Sequence, residues 1–205
     1  MIQDIPVLLK ECAPSAHHTV LNALIKTESG GDPFVIHDNN NRSAVHSRTS
    51  DEAITKAEDL IRQGHSVDMG LAQINSRNLS KLGLSVHQVF DPCTNIKAAS
   101  TIYSWGLKMA VDKYGEGQQA TLAALSVYNT GSLSAGFSNG YVQKVASKLG
   151  IEAHINYASF STHSKATISP YGAPLSAGSE FGGNIELAQK ASTNPRFSPL
   201  TATGF

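Results

Sequence analysis

Apolar residues recur at intervals of three and four along the chain up to about position 150, and cap and stop residues bracket each run. That period restricts the folded part to helices packed on one another. Thr49-Ser50-Asp51-Glu52 reads as a capping box, Thr49 at the N-cap and Glu52 at the third helical position. It opens a helix with Ala53, Ile54, Ala57, Leu60 and Ile61 on one face, stopped by Gly64. Glu52–Lys56 and Glu58–Arg62 are i,i+4 pairs on its wet side. Upstream, Ser15 caps a helix running to about position 29, with Val20, Leu21, Leu24 and Ile25 in one stripe and Gly30-Gly31 as its end. Asp91-Pro92 pairs an N-cap with proline at the first helical position, for a helix running past Trp105 to Tyr114. Further helices are predicted just after Asp68, carrying Leu71-Ala72-Gln73-Ile74, and over 118–129 and 141–149. No segment alternates with period two for long enough to predict a strand. The expected fold class is all-α.

The chain changes character near position 154. Of the 51 residues at 155–205, 22 are Gly, Pro, Ser or Thr and five are charged, too little apolar surface to offset the entropy of ordering. The expectation is one domain over 1–154 and a flexible tail over 155–205, with a turn or two of helix at 185–191. The 16 basic and 16 acidic side chains cancel, which removes the electrostatic footprint of a nucleic-acid partner. No apolar run approaches the roughly 20 residues of a membrane span. The opening segment holds Pro6-Val7-Leu8-Leu9 but no basic n-region, and the run is too short for a secretory core. The chain therefore reads as cytoplasmic, or as a mature form without its signal. The eight histidines include no i,i+4 pair, so neither a metal site nor a cofactor is expected. Cys12 and Cys93 are 81 positions apart without a C-x-x-C pair; they fit either two buried thiols or one bridge in an oxidising compartment.

Glu28 stands three, four and seven residues after Ile25, Leu24 and Leu21, so it projects from a core-facing stripe. It also sits at the negative end of its helix dipole. Burial and dipole both raise a carboxyl pKa, as a general acid near neutral pH requires. The plainer reading is a Glu leaning out toward Lys26 or solvent. Gln73 and Asn75 interrupt an apolar stretch with amides, which suit sugar hydroxyl and acetamido groups or serve as caps. Tyr128-Asn129 and Asn139-Gly140-Tyr141 each place a phenol and an amide beside a helix end, to line a cleft or to anchor the core.

Glu28-Ser29-Gly30-Gly31-Asp32-Pro33 resembles the catalytic Glu-Ser motif of the lysozyme-like lytic transglycosylases. Gly70-Leu71-Ala72-Gln73-Ile74-Asn75 is similar to their Gly-Leu-Met-Gln motif, and Tyr128-Asn129 to their Ala-Tyr-Asn motif. Cys12-Ala13-Pro14, Gly64-His65-Ser66-Val67-Asp68-Met69-Gly70 and Phe90-Asp91-Pro92-Cys93 resemble the branch associated with type IV secretion. The motifs run in order over roughly residues 10–150. Ala72 stands where Met is usual, and Ser126-Val127 precede Tyr128 where Ala is common.

The resemblance implies a peptidoglycan lytic transglycosylase that cleaves between N-acetylmuramic acid and N-acetylglucosamine and leaves 1,6-anhydromuramoyl ends. Glu28 is the implied acid and base. Ser29, Gly70, Ala72 (through its carbonyl), Gln73, Asn75, Tyr128, Asn129 and Tyr141 are the implied substrate-binding residues. A periplasmic location, a Cys12–Cys93 disulfide and secretion-system partners met through the tail are implied as well. Asp68 is the one candidate second carboxylate, which a muramidase would use to position water; otherwise it caps the motif helix. A wall-binding factor without catalysis is a further alternative, and the core-facing Glu28 argues against it.

Overall fold

The computed structural model describes residues 4–151. The predicted tail over 155–205, with its short helix at 185–191, lies outside the described residues. The helical fold class holds, with one addition.

Helix α1 (Ile5–Cys12) buries Ile5, Leu8, Leu9 and Cys12, an i, i+3, i+4, i+7 stripe, and carries Pro6 in its first turn. Pro6-Val7-Leu8-Leu9 is thus part of a core-packing helix. Helix α2 (His18–Glu28) begins after His17 and has no side-chain cap, so Ser15 does not open it. The imidazole of His18 instead bonds the Ala13 carbonyl at 2.8 Å and fixes the α1–α2 corner.

Helix α3 (Ser50–Arg62) starts as its sequence predicts, with the Thr49 hydroxyl accepting the Glu52 N–H. The Glu52 carboxylate takes the N–H of Arg48 rather than that of Thr49. On the wet face Arg62 pairs with Asp59 at 2.8 Å and Glu58 with His87 at 3.5 Å, in place of the expected i,i+4 pairs. Short helices α4 (Leu79–Leu82) and α5 (Val86–Val89) lead to α6 (Pro92–Tyr114), capped by Asp91 accepting from the Thr94 N–H at 2.8 Å. Helix α7 (Gln118–Thr130) packs on α6 as the main pair of the core. Gly106 permits the approach: a Cβ there would stand 3.0 Å from Val127 Cβ and 3.1 Å from the Ala124 carbonyl oxygen. Helices α8 (Ala135–Ser138) and α9 (Tyr141–Lys148) fold back over α7, and α9 also reaches α2. Cys12 at the end of α1 is disulfide-bonded to Cys93 in the first turn of α6, their Cα atoms 5.1 Å apart.

The addition is a four-stranded antiparallel sheet, in the order β2-β1-β3-β4, made of β1 (Val35–Asp38), β2 (Ser43–His46), β3 (Val67–Met69) and β4 (Ile74–Asn75). It corrects the helix expected after Asp68. Asp68 is a strand residue and caps nothing; the chain reverses over 70–73 so that Met69 pairs with Ile74. The reversal needs left-handed backbone at Gly70 (φ 73°) and at Gln73 (φ 51°), which no helix supplies. Cross-strand register sets His37 opposite Asp68 and Asp68 opposite Asn75. These three side chains form one row on one sheet face. Among the described residues, no helix is long and apolar enough to cross a membrane.

Candidate active site

Glu28 is the last residue of α2, one turn after the buried Leu24 and Ile25. Its carboxyl lies among protein atoms that face it from three elements: Tyr141 on α9, Tyr128 on α7 and Asp68 on β3. Burial pushes the carboxyl up to about 8; the Tyr141 hydrogen bond works against that rise and repulsion from Asp68 adds to it. The Tyr141 hydroxyl donates to Glu28 Oε1 at 2.5 Å. Burial, together with the negative charge of Glu28, holds both Tyr128 and Tyr141 well above the usual phenol range, so both remain donors.

The 70–73 turn forms the adjoining wall and is tied down from three sides. Ser29 Oγ donates to the Leu71 carbonyl at 2.6 Å, linking the residue after Glu28 to the turn. The Tyr128 hydroxyl donates to the Ala72 carbonyl at 2.8 Å. Asn95, in the second turn of α6, donates to the Met69 and Val89 carbonyls at 3.0 and 2.8 Å and accepts the Ala72 N–H at 2.9 Å. Gly70 is required beneath that amide, because a Cβ there would lie 2.5 Å from Asn95 Nδ2. Gln73 turns its amide nitrogen inward, to the carbonyls of Gly70 at 2.9 Å and Val35 at 3.2 Å.

Asp68 is 5% exposed, and both of its oxygens are taken: Oδ1 by Asn75 Nδ2 at 2.6 Å and Oδ2 by Asn39 Nδ2 at 2.9 Å. Burial raises its pKa, against the hydrogen bonds of Asn39 and Asn75 and the nearby charges of His37 and Arg77. Asn39 is carried by a loop wound around the buried Asp38, which accepts from His65, from the backbone of Asn40 and from the Asn41 side chain. Burial opposes the charge of Asp38, but these bonds hold its carboxyl below the usual range.

The structure therefore gathers Glu28, Ser29, Gly70, Ala72, Gln73, Asn75, Tyr128 and Tyr141 around one wall, with Asp68 beside them. It divides them by access. Ala72 is wholly buried and Asn75 is 2% exposed, so both support the wall from behind. Glu28, Ser29 and Gln73 are half-buried. Asn129 stands one step back: its Oδ1 accepts from Asn139 Nδ2 at 2.8 Å, and Asn139 Oδ1 accepts the Tyr141 N–H at 2.9 Å at the start of α9.

Sequence reasoning missed Asn95 and the clamping role of Asn39. Asn95 had a signal, being an amide among Ile96, Ala98 and Ala99 on the buried side of an apolar helix. Asn39 stands in a polar loop with His37, Asn40, Asn41 and Arg42 that reads as a cleft rim or a plain loop, and its partner lies 29 residues away in sequence.

Residues 7–150 match the family model described as transglycosylase SLT domain. Protein virB1 of Agrobacterium fabrum is 39% identical over 137 residues, which cover 66% of this chain and 55% of that protein. The type IV secretion system protein virB1 of Brucella abortus is 36% identical over 151 residues, 71% of this chain and 63% of its own length. The chain thus spans little more than half the length of the curated relatives it matches. No solved structure matches it. With Glu28, the 70–75 turn and Tyr128 all inside the matched region, the chain belongs to the transglycosylase SLT domain family.

Proposed function

We propose that this chain is a peptidoglycan lytic transglycosylase that opens the wall locally for a type IV secretion or conjugation apparatus. The observation that carries the reading is Glu28: a carboxyl that burial keeps protonated at neutral pH, with one oxygen already taken by Tyr141. Since Oε1 accepts from the phenol, the acid proton belongs on Oε2, free for a substrate oxygen.

The chemistry closes on that one group. Glu28 Oε2–H gives its proton to the oxygen joining N-acetylmuramic acid to N-acetylglucosamine, the C1–O bond breaks, and the N-acetylglucosamine side leaves as an alcohol. The acetamido oxygen of the muramoyl unit shares an electron pair with C1. Glu28, now a carboxylate stabilised by Tyr141, takes the proton of the muramoyl C6 hydroxyl. The C6 oxygen then bonds to C1 and displaces the acetamido oxygen. No water is consumed, and Glu28 ends protonated as it began. Ser29 and Gln73 contribute polar atoms along the sugar path, Gly70, Ala72, Asn75 and Tyr128 hold the wall behind them, and Asn129 supports Tyr141 from one step back through Asn139.

Residues 1–154 are the catalytic unit in this reading, and 155–205 serve as a recognition segment for secretion-system proteins. The virB1 relatives, one of them named a type IV secretion system protein, support work beside such an apparatus and, with it, a periplasmic site of action. The Cys12–Cys93 disulfide is consistent with an oxidising compartment. The nearness of Asp68 to Glu28 favours one competing reading, a muramidase in which Asp68 orients water.

Glu28→Gln tests the reading: it keeps the Tyr141 hydrogen bond and removes only the proton, so release of fragments from purified sacculi should fall by about 10²–10⁴-fold. A Glu28→Gln protein that clears sacculi at the wild-type rate would refute it.

A further inference from the structure

We infer that Asn139 is a positioning residue for the acid: it closes a ring of hydrogen bonds that leaves from the residue after Glu28, runs through the 70–73 turn and the end of α7, and returns to the Glu28 carboxyl by way of Tyr141. The inference rests on Glu28 being the acid, as proposed above.

Every link is a direct contact. Ser29, next to Glu28, donates to the Leu71 carbonyl at 2.6 Å. Ala72, next to Leu71, accepts the Tyr128 hydroxyl at 2.8 Å. Asn129, next to Tyr128, accepts from Asn139 Nδ2 at 2.8 Å. Asn139 Oδ1 accepts the Tyr141 N–H at 2.9 Å, and the Tyr141 hydroxyl donates to Glu28 Oε1 at 2.5 Å. Between the bonds stand only adjacent residues or a single side chain, so the ring has little slack. It keeps Oε1 engaged while Oε2 gives and takes the proton.

Asn139 does more in this ring than cap a helix. A cap requires only its Oδ1, which bonds the N–H two residues on in a local turn. The second bond, from Nδ2, reaches back ten residues to another helix and fixes the start of α9 to the end of α7. The intervening chain is pinned to suit. Ser126 Oγ donates to the Ser132 carbonyl at 2.6 Å and accepts the Gly136 N–H at 2.8 Å. A Cβ at Gly136 would stand 2.7 Å from Ser126 Cα, so α8 lies pressed on α7 and returns Asn139 to Asn129. Asn139 itself is exposed, so its truncation opens the ring without emptying the core. The groups that face Glu28 are the phenols of Tyr141 and Tyr128 and the Asp68 carboxyl. Of these, Tyr141 is the one whose helix start Asn139 holds, and its bond favours the ionised carboxyl.

The test is the pH profile of initial fragment release from sacculi by the full chain, for wild type, Asn139→Ala, Asn129→Ala, Tyr141→Phe, Tyr141→Phe with Asn139→Ala, and Glu28→Gln. Asn139→Ala loosens Tyr141, so the alkaline limb set by Glu28 moves to higher pH, in the direction of Tyr141→Phe and no further. The neutral-pH rate falls about three- to tenfold, since the carboxylate that takes the C6 proton is less well stabilised. The half-saturating amount of sacculi stays at the wild-type value. Asn129→Ala opens the same link from the other side and moves the limb the same way. Adding Asn139→Ala to Tyr141→Phe moves the limb no further than Tyr141→Phe alone. An unmoved alkaline limb in Asn139→Ala overturns the inference, as does a limb that shifts additively in the double variant. A raised half-saturating amount with an unmoved limb would make Asn139 a substrate contact and overturn it too. If Asn139→Ala does not fold, the limb of Asn129→Ala decides by the same criterion. Equal cleavage by wild type and Glu28→Gln would remove the underlying reading; a silent Glu28→Gln with an unmoved limb in Asn139→Ala removes this inference alone.

Discussion

Glu28→Gln is expected to stabilise the protein, and increasingly so as pH rises. The folded chain holds the Glu28 carboxyl at about 8, against an ordinary value of 4.5. Between those values the folded state binds the extra proton, so stability is fully present below 4.5 and drains away as pH climbs through 8. Each pH unit in that window costs up to about 1.4 kcal/mol. From about pH 5 to pH 8 the wild type should therefore lose roughly 3 kcal/mol that the Gln variant keeps. For a chain of this size that is about 6–12 °C in Tm. Every other titrating group contributes to both proteins, so the difference between the two curves isolates Glu28; the amide also keeps the Tyr141 bond. Thermal melts of both proteins across that range, followed by circular dichroism, read it directly. Parallel Tm-against-pH curves would refute the claim that the fold stores an uncharged acid at this position.

Tyr141→Phe removes a hydrogen bond that favours the ionised form of Glu28, so the alkaline limb of activity should move to higher pH; a limb moving to lower pH would contradict the 2.5 Å contact. The Cys12–Cys93 bridge closes a loop of 81 positions, so reduction, or Cys12→Ser with Cys93→Ser, should cost about 4–5 kcal/mol. Two thiols labelled quantitatively in the non-reduced, denatured protein would show the bond to be absent. Deletion of 155–205, which lies outside the described residues, should leave sacculus cleavage within a few-fold of the full chain; loss of cleavage or of the folded state would move the domain boundary.

The helices were legible where a cap and a stripe coincided. Thr49 and Asp91 cap α3 and α6 as read, and the Leu21–Leu24–Ile25 stripe correctly carried Glu28 to the edge of the core. The stripe of α1 was equally regular, yet its apolar run was weighed only as a secretory segment. The sheet escaped because its strands are two to four residues long, too short for alternation to exceed chance. Leu71, Ala72 and Ile74 then imitate a helical face, and only the backbone at Gly70 and Gln73 shows that the chain reverses there. The site was legible as a set of residues but not as an arrangement. The Tyr141–Glu28 bond spans 113 positions and the Tyr128–Ala72 bond 56, contacts that no local period encodes. The same distance effect hid the Asn39 bond to Asp68, a residue that the sequence offered as a second carboxylate or a cap.

Digestion of purified sacculi in water enriched in ¹⁸O, with mass spectrometry of the released muropeptides, tests most directly whether Glu28 closes a ring instead of activating water. Ring closure on C6 takes no oxygen from solvent. The expected products carry no ¹⁸O at the muramoyl end, weigh one water less than reducing ends, and vanish with Glu28→Gln. Muramoyl ends bearing one ¹⁸O would contradict the ring closure and make the enzyme a water-using muramidase.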